Sequence, residues 1–122
     1  MTLVYPLLLE ADVVAYVTPL YYHGVSAQLK CAIDRFHGVD DLIHQEKVAA
    51  LISVGGTDDK TLFKGIECWF ETDLRYLGWK NAGSLFVTGC YDKGSVVETP
   101  YLAKAFDLGY AVCANLDAGT TE

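Results

Sequence analysis

The sequence is poor in basic residues and in proline. It holds 9 lysines and arginines against 16 aspartates and glutamates, which gives a formal net charge of −7. A surface that neutralises the phosphates of nucleic acid or the head groups of acidic lipid needs clustered lysine and arginine, and no such run is present. We therefore expect neither nucleic acid nor a membrane surface as a partner. With three prolines and 52% hydrophobic residues, the 122 residues fit one compact domain, 1–122, rather than a disordered chain.

Long apolar runs and targeting signals are also missing. The opening "MTLVYPLLLE" is apolar, but it has no basic region before it and no small-residue cleavage site after it. No other stretch approaches the ~20 apolar residues that a membrane-spanning helix needs. These absences predict a soluble, cytoplasmic protein.

The four cysteines form no motif. Cys31, Cys68, Cys90 and Cys113 lie more than twenty residues from one another, so no CxxC pair and no metal-ligand spacing is present. Without a secretory signal, a framework of disulfides is not expected either. We expect four free thiols in the core or in loops and no metal site.

Three short apolar runs, rich in β-branched and aromatic residues, predict the strands. They are Asp12–Val17, Val48–Val54 and Leu85–Thr88, and glycine or proline bounds each of them. Continuous apolar runs of this length are typical of strands that are buried on both faces of a parallel sheet. The sequence therefore predicts an α/β fold.

Helical patterns occupy the two segments between these strands. In the first segment apolar residues recur every three to four positions, Ser26 is placed to cap the start, and Gly38 is placed for a left-handed residue at the end. The second helix is entered through Asp58 or Asp59 and closed by Gly78. Both are predicted to be crossover helices between parallel strands.

The remaining segments complete the element order. Thr99 and Pro100 predict the start of a last helix that ends near Asn115, with proline at its first position. The charged stretch Asp40–Lys47 is interpreted as a solvated connection. The predicted order is a short N-terminal helix followed by β-α-β-α-β-α.

The carboxyl ends of the predicted strands mark the default site. Right-handed crossovers in a parallel sheet bring the ends of all strands to one edge. The loops that follow them, Thr18–Gly24, Gly55–Asp59 and Gly89–Gly94, should therefore converge. Of these loops, the first is unusual because two adjacent tyrosines stand in it.

The stretch "EADVVAYVTPLYYHGVSAQLKCAIDRF", followed by "KVAALISVGG", resembles the flavodoxin-like NAD(P)H-dependent FMN reductase family. The residues that carry the resemblance are Pro19, Tyr21, Gly24, Ser26, Lys30, Asp34 and Arg35. The resemblance implies a flavodoxin-like three-layer sandwich with a parallel sheet. It also implies an FMN-dependent oxidoreductase of the flavin- or quinone-reductase type, with NAD(P)H as co-substrate.

The same resemblance implies where a flavin would lie, because the first two loops border the flavin ring in that family. The candidate cofactor-binding residues are Thr18, Pro19, Leu20, Tyr21, Tyr22, Gly24, Gly55, Gly56 and Thr57. A flat apolar ring needs aromatic or small surfaces against its faces and backbone N–H groups at its carbonyl edge, which these residue types supply. Each also has a structural interpretation, as a packing residue or a turn glycine. No residue is assigned a catalytic role.

Two other polar features in this region have structural explanations. Lys30 and Asp34 stand four residues apart on a predicted helix, where an i,i+4 ion pair stabilises the helix surface. His23 is interpreted as a hydrogen-bonding loop residue, with proton transfer as the alternative.

The chain departs from the family at its beginning. Members start with a strand and a loop that binds the FMN phosphate, followed by a second strand, and this sequence starts after that segment. Its strands would be equivalent to strands 3-4-5 in the order 2-1-3-4-5. Neither the segment "GGTDD" nor the segment "GCYDKG" offers a good substitute for the phosphate-binding loop, because acidic side chains crowd both. We therefore expect FMN binding by this chain to be weak or lost.

Without that segment, the strand Asp12–Val17 would lie on an open edge of the sheet. One face of the sheet would then be covered by the last helix alone. We expect a homo-oligomer that covers this edge or the uncovered sheet face. The alternative function is a flavin-free remnant or interaction subunit that keeps the fold without the activity. A phosphorylated receiver domain fits poorly, because Thr18, Gly55 and Gly89 follow the strands where an aspartate would be required.

Overall fold

The computed structural model describes residues 1–118. Its strands are β1 (Val13–Pro19), β2 (Val48–Val54) and β3 (Lys80–Val87). Its α-helices are α1 (Val4–Glu10), α2 (Ala27–Asp34), α3 (Asp40–Ile43), α4 (Lys64–Leu77) and α5 (Tyr101–Asp117), and 3₁₀ turns cover Arg35–Val39, Lys60–Phe63 and Ser95–Glu98. None of the helices in residues 1–118 is long and apolar enough to cross a membrane.

The three strands form one parallel sheet in the order β1-β2-β3, as the sequence predicts. Val13 of β1 lies opposite Val48 of β2, which lies opposite Lys80 of β3. The strand Val48–Val54 has the predicted bounds, whereas β1 extends to Pro19. β3 starts five residues before the predicted Leu85, because backbone pairing with β2 continues through residues whose polar and small side chains hide the strand pattern.

The inner face of the sheet carries the core. The cluster of buried side chains there joins strand residues to the helices between the strands: Leu8, Tyr16, Ile33, Ile43, Ala49, Leu51, Phe63, Ile66, Phe70, Leu74, Leu77 and Trp79. The Tyr16 ring meets the rings of Trp69 and Phe70 edge-on at 5.7 and 5.9 Å. Burial of these aromatic faces fixes α4 against β1 and β2.

The predicted cap of α2, the predicted entry to the segment that leads into α4, and the predicted end of α4 are confirmed. Ser26 Oγ accepts the Leu29 N–H at 3.3 Å at the start of α2, and Asp59 Oδ1 accepts the Thr61 N–H at 2.9 Å ahead of α4. Gly78 ends α4 in the left-handed conformation with φ 74°. α5 starts at Tyr101, one residue later than predicted.

The segment between α2 and β2 corrects two predictions. Gly38 does not close a helix in a left-handed conformation, because α2 ends at Asp34 and Gly38 lies in the following 3₁₀ turn. A Cβ at Gly38 would lie 2.6 Å from the Tyr5 hydroxyl, so a close approach explains this glycine.

The stretch Asp40–Lys47 is not a solvated connection. It contains α3, whose Ile43 is fully buried, and it ends in a Lys47 that is only 3% exposed. The Lys47 ammonium donates to the carbonyls of Leu9 and Ala11, at 3.1 and 2.6 Å. These hydrogen bonds to the end of α1 compensate for the burial of the Lys47 charge, which the sequence pattern predicts to lie in solvent.

The outer face of the sheet is covered by α5, which packs on β3 and β2. Ala15 and Val17 of β1 point to this face and stay exposed, and no residue of α5 is buried. One strand of the sheet therefore lacks a covering layer on its outer side within residues 1–118.

Candidate functional site

The three loops at the carboxyl ends of the strands meet at one edge, as the sequence predicts. Backbone hydrogen bonds tie the second loop to the third: Gly55 N–H to Val87 O at 2.9 Å, Cys90 N–H to Gly55 O at 3.1 Å, and Gly89 N–H to Thr57 O at 2.9 Å. The Leu20 N–H bonds to Val54 O at 2.8 Å and joins the first loop to them. This ladder of main-chain bonds continues the sheet into the site.

Two open cavities lie side by side on these loops. The larger, about 680 Å³, is lined by Val17, Thr18, Pro19, Leu20, Tyr21, Val54, Gly55, Gly56, Cys90 and Tyr91. The smaller, about 380 Å³, is lined by Leu20, Tyr22, His23, Gly55, Gly56, Thr57, Leu62 and Tyr91. They share the Gly55–Gly56 backbone, so the glycine pair forms a floor common to both.

The first loop holds its two tyrosines in a tight, strained turn. Tyr21 and Gly24 form an isolated antiparallel bridge, and the two residues between them, Tyr22 and His23, have φ values of 46° and 67°. Such values are unfavourable for non-glycine residues. The turn directs Tyr21 towards the larger cavity and leaves Tyr22 99% exposed beside the smaller one.

Thr18 anchors the base of that loop. It is 2% exposed, and its hydroxyl donates to the Pro19 carbonyl at 2.9 Å and accepts the Ser26 N–H at 3.0 Å. The Ser26 hydroxyl in turn caps α2. The N–H of Ser26 and the N–H of Leu29, in the first turn of α2, are therefore engaged by this chain's own hydroxyls.

Tyr91, from the third loop, lies directly over Gly56. A Cβ added at Gly56 would collide with the Tyr91 ring, so only glycine permits the ring to rest on the backbone there. Tyr91 itself is 89% exposed. The loop Gly89–Gly94 lies at the predicted edge, but Cys90 and Tyr91 are absent from the predicted cofactor-binding residues, although an aromatic residue just after the third strand was a usable signal.

The two cavities carry no carboxylate, ammonium or guanidinium group in their walls; His23 is their only titratable side chain besides tyrosine and cysteine. Acidic groups stand at the rim. The pKa of Asp59 is held below its ordinary value by the side-chain and backbone hydrogen bonds from Thr61, so this carboxylate stays ionised. Asp58 lies against Gly89.

The walls of the larger cavity suit a flavin ring. They offer apolar side chains, an exposed tyrosine and the Gly55–Gly56 backbone, which a planar heteroaromatic ring can contact. A phosphate would need backbone N–H groups or cations; within the described residues the N–H groups of Ser26 and Leu29 are already bonded to hydroxyls, and the charged side chains of the second loop are the carboxylates of Asp58 and Asp59.

Most of the predicted cofactor-binding residues come together. Thr18, Pro19, Leu20, Tyr21, Gly55 and Gly56 line the larger cavity, and Tyr22 and Thr57 line the smaller one. Gly24 lines neither, because it closes the turn against Tyr21. Lys30 forms its ion pair with Asp34, away from both cavities.

The comparisons with known proteins point to one family. The family model described as NADPH-dependent FMN reductase matches residues 1–63, about half of the chain. No curated protein matches the chain.

Solved structures share the fold at low sequence identity. The Trp repressor binding protein from Bacillus subtilis is 22% identical with a TM-score of 0.69, over 91% of this chain and 67% of that chain. A flavone reductase is 20% identical with a TM-score of 0.75, over 99% of this chain and 48% of that one. A flavodoxin, WrbA-like protein from Agrobacterium tumefaciens is 17% identical with a TM-score of 0.61, over 88% and 70%. The chain thus spans about half the length of the flavone reductase.

Proposed function

The chain belongs to the NADPH-dependent FMN reductase family, and on that premise we propose that it serves as an FMN-dependent oxidoreductase that takes hydride from NAD(P)H. The larger cavity receives the flavin ring, and the smaller one admits the nicotinamide or the electron acceptor. Bound flavin would supply the hydride chemistry, while the protein binds and orients it.

The observation that carries this proposal is the pair of cavities on one glycine floor. Tyr21 and Tyr91 border the larger cavity, and Tyr22 and Tyr91 border the smaller one. Two groups that exchange hydride must lie within contact distance of each other, and adjoining cavities on one floor permit that. Neither cavity has a charged group in its walls, so an uncharged ring can bind there without removing water from a charge.

Each contacting residue has a defined task. The Gly55–Gly56 backbone lets the ring edge approach the main chain, because these two residues carry no side chain of their own. Pro19 and Leu20 exclude water from one side, and the aromatic ring of Tyr21 packs beside the flavin. The strained turn at Tyr22 and His23 keeps both tyrosines in place before a ligand arrives.

The test is a titration of riboflavin fluorescence with the protein, followed by addition of NADPH. We expect quenching on binding and then bleaching of the visible flavin band as hydride is transferred. Tyr21→Ala should weaken ring binding about tenfold, since aromatic pairs and the buried ring area contribute on the order of 1.5 kcal/mol. Tyr76→Ala, at another exposed tyrosine outside both cavities, is the matched control and should bind like the wild type.

Two results would contradict the proposal. Equal riboflavin affinity of Tyr21→Ala and the wild type would show that the flavin ring does not bind in the larger cavity. Absence of any flavin binding would favour the alternative function, a flavin-free remnant or interaction subunit.

A further inference from the structure

Two side chains divide the floor that the two cavities share. Within residues 1–118, Leu20 and Tyr91 are the only side chains that line both cavities. Leu20 lies against Gly55, because a Cβ added there would be 3.5 Å from the Leu20 side chain. The Tyr91 ring lies on Gly56, so close that a Cβ there would collide with it. The two side chains therefore form a partition between the larger and the smaller cavity.

The Leu20 half of this partition is fixed. The Leu20 N–H bonds to the Val54 carbonyl at 2.8 Å, and the side chain is partly buried against the hydrophobic core. A side chain that packs against the core cannot leave its place without losing those contacts. Leu20 is therefore a permanent part of the partition.

The Tyr91 half is free to move. Its side chain is 89% exposed, and within residues 1–118 its hydroxyl has no hydrogen-bond partner and its ring meets no other aromatic ring. The main chain beside it is anchored, because the Cys90 N–H bonds to the Gly55 carbonyl at 3.1 Å. Rotation about the side-chain bonds of Tyr91 would take the ring off Gly56 without moving the loop.

The position of the ring conflicts with the contact that the proposed function requires. Two groups that exchange hydride must have their reacting atoms about 3–3.5 Å apart. Groups bound in the two cavities can meet over the shared backbone of Gly55 and Gly56, and the Tyr91 ring rests on that backbone. The ring must therefore leave the floor before the two groups can touch.

On the basis of the function proposed above, we propose that Tyr91 is a gate between the two cavities. Its ring rests on Gly56 until a second planar group enters the smaller cavity, and it then rotates away. The gate determines specificity for the second group, because a ligand displaces the ring only if it gains more on the floor than Tyr91 loses. A flat ring can replace the tyrosine face to face, and a bulky saturated group cannot.

Titration of the riboflavin-saturated protein with NADP⁺, followed by the visible absorbance of the flavin, tests the gate. NADP⁺ is the oxidised nucleotide, so it binds without giving hydride. Tyr91→Ala should bind NADP⁺ about fivefold more tightly than the wild type, as expected for a gate that is open in about one fifth of wild-type molecules. Tyr91→Trp, with a larger ring on the floor, should bind NADP⁺ more weakly than the wild type. Tyr91→Phe keeps the ring and should restore wild-type affinity.

The same titrations separate a gate from a fixed wall. If Tyr91 were a fixed wall of both cavities, Tyr91→Ala would lose contacts to both ligands, so equal or weaker NADP⁺ binding by Tyr91→Ala overturns the gate. Tyr76→Ala, at an exposed tyrosine outside both cavities, is the control and should bind NADP⁺ like the wild type. A wild type that does not bind riboflavin overturns the proposed function itself, and the gate with it.

Fluorine NMR follows the ring in the protein without a change of its surroundings. The chain has eight tyrosines, which can be replaced by 3-fluorotyrosine, and Tyr91→Phe identifies the resonance of Tyr91. On addition of NADP⁺ to the riboflavin-saturated protein, this resonance should move towards that of free 3-fluorotyrosine, because the ring leaves the backbone. The resonance of Tyr76 should stay in place. A Tyr91 resonance that does not move in this direction while NADP⁺ binds would contradict the gate.

Discussion

At the scale of single residues, the site depends on positions that only the folded chain brings together. The tyrosine pair and the glycine pair are visible in the sequence, but the collision that fixes Gly56 is with Tyr91, thirty-five positions away. Contacts of this kind leave no local pattern in the sequence, because the two partners lie in different segments and each segment shows only its own pattern. The sequence could therefore predict that the third loop lies at the site, but not that its Tyr91 packs on Gly56.

The glycine floor yields the first prediction. Gly56→Ala should force the Tyr91 ring off the backbone and weaken riboflavin binding at least several-fold, because the new methyl group enters the space shared by both cavities. Fluorescence titration measures the effect. Gly24→Ala is the control, since nothing lies within 4 Å of a Cβ there, and it should bind like the wild type. Identical affinities for the two variants would contradict the role of Gly56.

Lys47 shows how a single buried charge supports an element. Its ammonium bonds to two carbonyls at the end of α1, and it is 3% exposed. Lys47→Met should lower the free energy of unfolding by about 2–3 kcal/mol, because charge-assisted hydrogen bonds are lost and the carbonyls are left unpaired. Urea denaturation checks this, with the exposed Lys80→Met as control. A loss under about 0.5 kcal/mol would show that water replaces the ammonium.

At the scale of elements, patterns with a strong period were predictable and irregular ones were not. The strand Val48–Val54 and the caps at Ser26, Asp59 and Gly78 follow directly from residue type. The segment from Arg35 to Lys47 did not, because its turns are held by tertiary contacts rather than by spacing: the Trp79 indole N–H donates to the Ile43 carbonyl at 2.8 Å from the far end of α4.

The packing of α4 against α2 carries a pH dependence. Desolvation raises the pKa of Asp73 above its ordinary value of 3.8, although Lys30 opposes the shift, and Asp73 Oδ2 is buried without a hydrogen-bond partner in the described residues. Burial raises the pKa of the Tyr16 phenol, and the negative charge of Asp73 raises it further. The ionised Asp73 is thus a destabilising group in the contact between α4 and α2.

The sign of the effect follows from proton binding. With its folded pKa above its unfolded pKa, Asp73 binds more protons in the folded state across that interval, so its contribution to stability falls as pH rises from about 4 through the raised pKa. Asp73→Asn should remove this slope and raise stability at neutral pH. Denaturation at a series of pH values measures it, and a variant that is less stable than the wild type at pH 7 would contradict the assignment.

At the scale of the whole molecule, the fold separates two surfaces. The strand ends present an open cavity of about 680 Å³ with uncharged walls, and the outer face presents an apolar surface that residues 1–118 leave exposed. The chain matches 88–99% of its own length to the flavodoxin-like relatives described above while spanning 48–70% of theirs.

The central proposal is that the larger cavity binds the flavin ring and that the described residues form no site for its phosphate. Calorimetric titration of the same protein with FMN and with riboflavin tests it most directly. Without charge-assisted bonds to the phosphate, the two dissociation constants should agree within about threefold, which is ~0.7 kcal/mol, and both should be weak. Tight binding of FMN with clear rejection of riboflavin would contradict the account, and so would the failure of both ligands to bind.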